Sequence, residues 1–506
     1  MRRQKFHQLI PSTIVILLLL TGCVQQLPPT STVPPTFTVE PPTEIVTESP
    51  AAPIVEAEPG APGVGDSLYP EFGNGGYDVQ HYILDLTVND VTTSDLNGIT
   101  TIEAKATQNL SSFNLDFIGF EIEDIAVNGQ TAEFTRDGQE LTVMPPEPLM
   151  LGESFTVEVT YNGTPEQIES VALPVLTGWV ASEGESFVLS EPDGAANFFP
   201  VNDHPLDKAT YTFTVTVPKP FEVAANGVLT DTVDNGDTTT FVWGARDPMA
   251  SYLVTINITD FDLETSEGPN GIPIRNYYAV GLPEGINKAF ERQGEMIALY
   301  NELFDPYPFE VYGSVVVKTE MGTALEAQTL SIYGSDMIDV NDLPASEAVV
   351  AHELAHQWFG DSVSVADWRD IWLNESFATY AEGLWIEHIE GREALDEWVK
   401  EVYAFVLENR ESMSPPGEPP ADDLFNNGVY SWGALGLHAL RLEVGDEVFF
   451  KILKTYYERY EHGNATTADF IAVAEEVSGK ELNAFFDSWL YSEEIAPIPA
   501  LGLEAK

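Results

Sequence analysis

The sequence predicts an α+β chain in which a mostly β domain, residues 75–261, precedes a mainly helical domain, residues 262–506. Three observations carry that reading. "HYILDLTV" (His81–Val88), "SFTVEVTY" (Ser154–Tyr161) and "TYTFTVTV" (Thr210–Val217) alternate in side-chain character at period two, with Gly, Asn, Asp and Pro clusters between them. After about Asp262 the period changes to that of a helix, in "NKAFERQGEMIALYNELF" (Asn287–Phe304), around His352, and in "DIWLNESFATYAEGLWIEHI" (Asp370–Ile389). A short apolar run, "SVVVK" (Ser314–Lys318), lies between the first two of these and reads as a strand. Finally, 506 residues at 43% hydrophobic content are enough to bury several cores, so the chain divides into domains.

Charge excludes one class of partner. Lys and Arg number 22 against 81 Asp and Glu, a formal net charge of −59. Such a surface repels nucleic-acid phosphates and anionic headgroups, so no nucleic-acid partner is expected. The acidic residues are spread along the chain, which makes them a solvated surface and not an acidic tail.

The first residues read as an address. Arg2, Arg3 and Lys5 precede the uninterrupted apolar run Ile14–Leu20, the pattern of a secretory signal over residues 1–22. It ends in Leu20-Thr21-Gly22-Cys23, which resembles the lipobox of bacterial lipoproteins and implies lipidation at Cys23. Cys23 is the single cysteine of the chain, so no internal disulfide can form. Residues 24–74 hold 11 of the 35 prolines and no Lys or Arg. That composition predicts an extended tether over residues 23–74, holding an extracytoplasmic folded part away from the membrane.

The chemistry is concentrated in "VVAHELAHQWFGD" (Val349–Asp361). His352 and His356 at i and i+4 fall on one helical face about a turn apart, suited to two ligands of one tetrahedral zinc. Glu353 is rotated off that line, where it can reach a water activated by the metal and take its proton. With 8 histidines in the chain, this pattern arises by chance in only about one chain in a hundred of this length. A third ligand is available in Glu375, which follows His356 after 18 intervening residues on the next predicted helix. Of the others, His81, His204, His388, His438 and His462 lack such spacing and read as structural or surface residues. No Ser-His-Asp elbow, thiol nucleophile or phosphate-binding glycine loop is present.

These motifs resemble the aminopeptidase N family of zinc metallopeptidases, whose signature is HExxH, 18 residues, then Glu. The resemblance extends to "EPDGAANFFPVNDHPLDKATYTFTVTVP" (Glu191–Pro218), "DPMASYLVTI" (Asp247–Ile256) and "VYSWGALGLHALRLEVGD" (Val429–Asp446). It implies a saddle-like all-β domain followed by a thermolysin-like catalytic domain. It also implies one zinc ion on His352, His356 and Glu375, with Glu353 as general base and Tyr430 as oxyanion donor. Glu326 and Glu191 would hold the α-amine of a peptide with a free N-terminus. Glu382 would accept a hydrogen bond from a ligating imidazole.

Thr323-Ala324-Leu325-Glu326-Ala327 stands where the family usually has Gly-Ala-Met-Glu-Asn, so Thr323 and Ala327 depart from it. Ser376 and Trp432 are further departures, at the family's Gly after the zinc Glu and at its Lys two places after the tyrosine. The family's larger members continue into a helical C-terminal domain, and this chain is expected to lack it and to have a more open site. A zinc endopeptidase and a noncatalytic peptide-binding lipoprotein remain as alternatives.

Overall fold

The computed structural model describes residues 56–504, residue 167 excepted. The predicted signal segment and Cys23 lie outside the described residues. Among the described residues, no helix is long and apolar enough to cross a membrane.

An eight-stranded sheet dominates the first half. Its strands are β1 (Tyr77–Asp90), β2 (Asp95–Ala106), β3 (Glu121–Val127), β4 (Gln130–Thr131), β5 (Ser154–Gly163), β6 (Ala209–Pro218), β7 (Val228–Asp234) and β8 (Thr238–Met249). They run in the order β7-β8-β6-β1-β2-β5-β3-β4, with β6 parallel to β1 and the other pairs antiparallel. The period-two reading is realised directly: along β2, Leu96, Gly98, Thr100, Ile102, Ala104 and Ala106 are buried while Asp95, Asn97, Ile99, Glu103 and Lys105 face solvent. One buried face per strand fixes the register, since a one-residue slip would expose every apolar side chain. Four- and five-stranded sheets pack with it, the latter built from Ile168–Glu169, Leu176–Ser182, Glu185–Leu189, Ile256–Thr259 and Glu222–Ala225.

The second half opens with a sheet of its own, β9 (Phe261–Glu267), β10 (Pro273–Ala279), β11 (Tyr312–Val316), β12 (Ala324–Leu325) and β13 (Ser331–Tyr333), ordered β9-β10-β11-β13-β12. Eight helices accompany it: α1 (Gln293–Leu303), α2 (Leu343–Ala355), α3 (Trp372–Glu390), α4 (Arg392–Asn409), α5 (Gly433–Val444), α6 (Asp446–Tyr460), α7 (Thr467–Ser478) and α8 (Asn483–Leu490). The helix expected over Asn287–Phe304 is broken. A 3₁₀ turn spans Ile286–Phe290 and α1 starts at Gln293, whose buried amide accepts from Asn276 at 2.8 Å and donates to Ser314 at 2.8 Å. Those two bonds tie the start of α1 to the sheet, a tertiary demand that helix periodicity does not carry.

The metal-motif helices are held by aromatic packing. Trp358, Tyr300, Phe304 and Tyr307 form an edge-to-face cluster under α2. Burying a ring of this size removes roughly 150–250 Å² from water, worth roughly 4–6 kcal/mol before the entropy of ordering it. The single hydroxyl hydrogen of Tyr300 is shared between the carbonyls of Ala381 (3.0 Å) and Ala351 (3.2 Å), which brings α1 against both α3 and α2. From the β side, Lys208 Nζ donates to the carbonyls of Asp361 and Ser362, both at 2.9 Å, and fixes the loop that follows the first metal motif.

The tether expected over residues 23–74 does not include residues 56–74, and its residues 23–55 lie outside the described residues. Residues 56–74 already belong to the folded body, with Glu58–Pro59 paired to the strand Leu110–Asp116. Asp66, fully buried at its side chain, faces His204 Nε2 at 3.1 Å and accepts from the backbone N–H groups of Leu68, Tyr69 and Trp368. Ser67 donates to Asp367 at 2.6 Å and Tyr69 to the Ala421 carbonyl at 2.6 Å. Proline density pointed to a linker, but one carboxylate and one tyrosine with long-range partners are enough to order the segment. Removing the carboxylate strands the N–H groups of Leu68, Tyr69 and Trp368, at about 1–3 kcal/mol for each buried donor left unpaired, so Asp66→Ala is expected to cost about 3 kcal/mol or more in urea-unfolding stability. A loss below about 1 kcal/mol would mean that those N–H groups find other acceptors.

Candidate active site

Helix α2 starts at Asp342, whose carboxylate accepts from the Ala345 N–H, and has Pro344 in its first turn, both normal for a helix N-terminus. Its last turn presents His352 and Glu353, and His356 caps it. Glu375 lies in the first turn of α3. The structure brings the three expected metal ligands to one point: His352 Nε2 and His356 Nε2 are 3.1 Å apart, and each lies 3.4 Å from Glu375 Oε2.

Whether this donor set fits zinc can be tested by geometry. Tetrahedral ligands at zinc's bond length of about 2.0–2.1 Å stand roughly 3.3 Å from one another, which is the spacing found. The outer ring nitrogens are oriented as well, with His352 Nδ1 at 2.8 Å from Glu382 Oε1 and His356 Nδ1 at 3.0 Å from the Phe359 carbonyl. With those nitrogens donating, both Nε2 lone pairs turn toward the same point as the Glu375 carboxylate. Three acceptors converging at van der Waals separation call for a cation between them.

The remaining residues complete a cavity of about 270 Å³. Glu191, Glu326, Glu353, Glu375 and Glu382 line it together with both histidines and Tyr430, and its lining contains no Lys or Arg. Glu326 follows directly on β12, while Glu191 comes from the β domain, after the strand Glu185–Leu189. Oε1 of Glu191 and Oε1 of Glu326 are buried without a hydrogen-bond partner. Burial, then the neighbouring carboxylates Glu326, Glu375 and Glu353, drive the Glu191 pKa well up. Burial likewise raises Glu326, against the pull of His356.

Burial also pushes Glu353 up to about 8, with His352 and His356 pulling the other way. Tyr430 sits in a single π-helical turn, Gly428–Trp432, that leads into α5 and turns its ring toward His352, centroids 6.1 Å apart. Burial and the surrounding carboxylates raise its pKa, so the phenol keeps its proton for donation. The turn is seated by Ser376, which donates to the Val429 carbonyl at 2.5 Å, and by Gly433, where a Cβ would stand 1.7 Å from Ser376 Oγ. Ser376, one departure from the family pattern, therefore bears on how the tyrosine is held, and Trp432, another, is the last residue of the same turn.

Every site residue singled out in the folded part thus meets at one cavity. Sequence reading missed Leu173, Met337 and Phe425 on its wall and the Phe359 carbonyl behind His356. Leu173 and Phe425 are loop positions and Met337 ends a 3₁₀ turn, none with a periodic signal, and a backbone acceptor has none at all.

Residues 288–489 match the peptidase family M1 domain and residues 78–253 the peptidase M1 N-terminal domain. The M1 zinc metallopeptidase of Deinococcus radiodurans, crystallised as a mutant with a Tyr-Ser-Ala substrate, superposes with a TM-score of 0.80 at 34% identity, covering 86% of this chain and 99% of that one. The chain belongs to peptidase family M1. Among curated M1 relatives, aminopeptidase N of Streptomyces lividans is 26% identical over 81% of this chain and aminopeptidase M1 of Arabidopsis thaliana 29% over 59%. The chain spans 50% and 36% of the length of those two. Its β half followed by a helical half is the two-part M1 arrangement that the sequence predicted.

The metal-free M1 site has a defined pH response. Burial disfavours the His356 imidazolium, but Glu326 and Glu375 outweigh it and lift the pKa to about 9. A folded pKa above the unfolded one gives stability that is complete below about pH 6.5 and is lost as pH rises through about 9. Glu353, raised to about 8, has the same sign, because it is neutral when folded at lower pH and must ionise while buried at higher pH. Zinc requires neutral imidazoles, so its stabilisation moves oppositely. The difference in Tm between zinc-loaded and chelated protein is expected to widen from about pH 6 to about pH 9, and a narrowing gap would contradict this assignment.

Proposed function

We propose that this chain is a zinc aminopeptidase that removes N-terminal residues from peptides, with one zinc on His352, His356 and Glu375. The observation that carries the reading is the pair of buried, unpartnered carboxylate oxygens of Glu191 and Glu326 beside the metal ligands. Two carboxylates held in a dry wall are costly unless a cation meets them, and the α-ammonium of a peptide is a cation of the right size. Bound there, the ammonium places the first peptide carbonyl at the metal triad.

Zinc held by the triad supplies a Lewis acid and lowers the pKa of water toward about 7. Glu353 takes the proton of the attacking water and returns it to the leaving amine. Tyr430 donates its phenolic hydrogen to the charge developing on the carbonyl oxygen, a donor positioned in advance on the cavity wall. Glu382 holds the His352 ring in the tautomer that leaves Nε2 free. The names of relatives support this chemistry: aminopeptidase N, leucyl aminopeptidase and glutamyl aminopeptidase are among them.

The test compares aminoacyl fluorogenic amides with their N-acetylated counterparts, with and without chelator. Chelator-sensitive cleavage confined to free amines is the expected result. Cleavage of acetylated or internal bonds would favour the endopeptidase, and silence in zinc-loaded protein would favour the binding protein. Attachment to a membrane through an acylated Cys23 is part of the proposal and rests on the N-terminal sequence alone. Cys23→Ala is expected to release the protein from the membrane fraction.

A further inference from the structure

Gln357 follows the metal ligand His356 and is completely buried, yet it is neither a ligand nor part of the cavity wall. Both ends of its amide are used on one short bend. Nε2 donates to the Glu326 carbonyl at 2.8 Å and Oε1 accepts from the Thr329 N–H at 2.8 Å, while the Tyr307 hydroxyl, 3.2 Å from Oε1, shares its one hydrogen with the Val311 carbonyl at 3.0 Å. The opposite amide orientation would set donor against donor and acceptor against acceptor, so the network admits one orientation only.

The bend it grips is an unfavourable one. Leu330 N–H closes a turn onto the Ala327 carbonyl at 2.8 Å, and Thr329 within it has φ of 69°, the left-handed region that a β-branched residue avoids. Such a conformation persists where the surroundings over-determine it. The β domain supplies the second grip. Gly227 N–H donates to Thr329 Oγ1 at 2.7 Å, and Asn226 Nδ2 donates to the Gln328 carbonyl at 2.8 Å. Glu326 is therefore held at its backbone by the helix end that carries His356 and, two and three residues on, by the β domain.

We propose that Gln357 is a positioning residue: it fixes the separation between the metal triad and Glu326, and through it the place of the substrate ammonium relative to the scissile carbonyl. This rests on the reading of Glu326 as the amine anchor. A buried primary amide does nothing for packing that a leucine of similar volume would not do, whereas its two directed bonds to the bend define a distance. Site geometry must hold to about 0.5 Å, and an error of about 1 Å costs up to about a hundredfold in rate.

The experiment uses the full zinc-loaded chain and two probes, L-tryptophan amide and N-acetyl-L-tryptophan amide, with affinities from calorimetry and zinc content measured in parallel. Wild type is expected to bind the free amine at least tenfold more tightly than the acetylated probe. Gln357→Leu should reduce that preference by tenfold or more and raise KM for a free-amine substrate, leaving zinc content and affinity for the acetylated probe unchanged. Should Gln357→Leu fail to fold, Asn226→Ala loosens the same bend from the other side, and about a threefold loss of preference is expected.

A folded Gln357→Leu protein with wild-type preference overturns the inference. So does one that loses zinc and affinity together, since Gln357 would then support the metal and not the spacing. Where only Asn226→Ala folds, undiminished preference overturns it as well. Wild type that does not distinguish the probes refutes instead the reading of Glu326 as amine anchor.

Discussion

Glu353→Gln is expected to leave a folded, metal-loaded protein whose kcat is lower by about 10²- to 10⁴-fold, the usual worth of a positioned proton carrier. The substitution keeps shape and volume but cannot accept a proton at neutral pH. Glu353 touches the site without ligating in the His352, His356, Glu375 arrangement, so metal content should not change. KM for a free-amine substrate should move little, because Glu326 and Glu191 are untouched. Single-turnover kinetics with parallel metal analysis would check this. A variant that retained more than about a tenth of wild-type kcat would remove Glu353 from the proton path. One that lost its metal would show that the carboxylate is needed for binding.

His356→Ala should have the largest effect of any single change, with activity falling to background and metal content with it. Zinc in a catalytic site is held by three protein ligands, and removing one leaves two. The loss extends beyond the ligand. His356 is 1% exposed and its Nδ1 bonds the Phe359 carbonyl, so an alanine opens a hole and strands that acceptor. It also leaves Glu375, whose pKa is held down at about 2 with both histidines opposing its burial, facing His352 alone. Atomic-absorption metal analysis and thermal unfolding of the variant are the measurements. Activity restored by excess zinc would show a weakened site, and activity in metal-free protein would refute the metal assignment.

Much of this site was legible because its residues sit at fixed helical offsets. His352, Glu353 and His356 follow from the geometry of one helix, and Glu375 from a second helix close behind it. Period-two strands were equally plain, since each main strand buries one face only. What could not be read was whatever depends on irregular backbone. The one-turn π segment that carries Tyr430 has no sequence period of its own, and its seat depends on Gly433 approaching Ser376. Glu191 and Glu326 were reached through resemblance to a family, because nothing local marks a loop carboxylate as facing a cavity. The tether boundary failed for the opposite reason: a composition argument averages over residues, and it cannot see that Asp66 and Tyr69 each have a distant partner.

The two buried, unpartnered carboxylates of the cavity come from opposite halves of the chain, Glu191 from the β domain and Glu326 from the domain that carries the metal motif. Neither half alone lines the cavity: the helical half holds the metal triad, Glu353 and Tyr430 but lacks Glu191. The full set of carboxylates therefore stands together only where both halves have folded and packed against each other, so a cut between them would open the cavity without touching a single metal-ligand candidate.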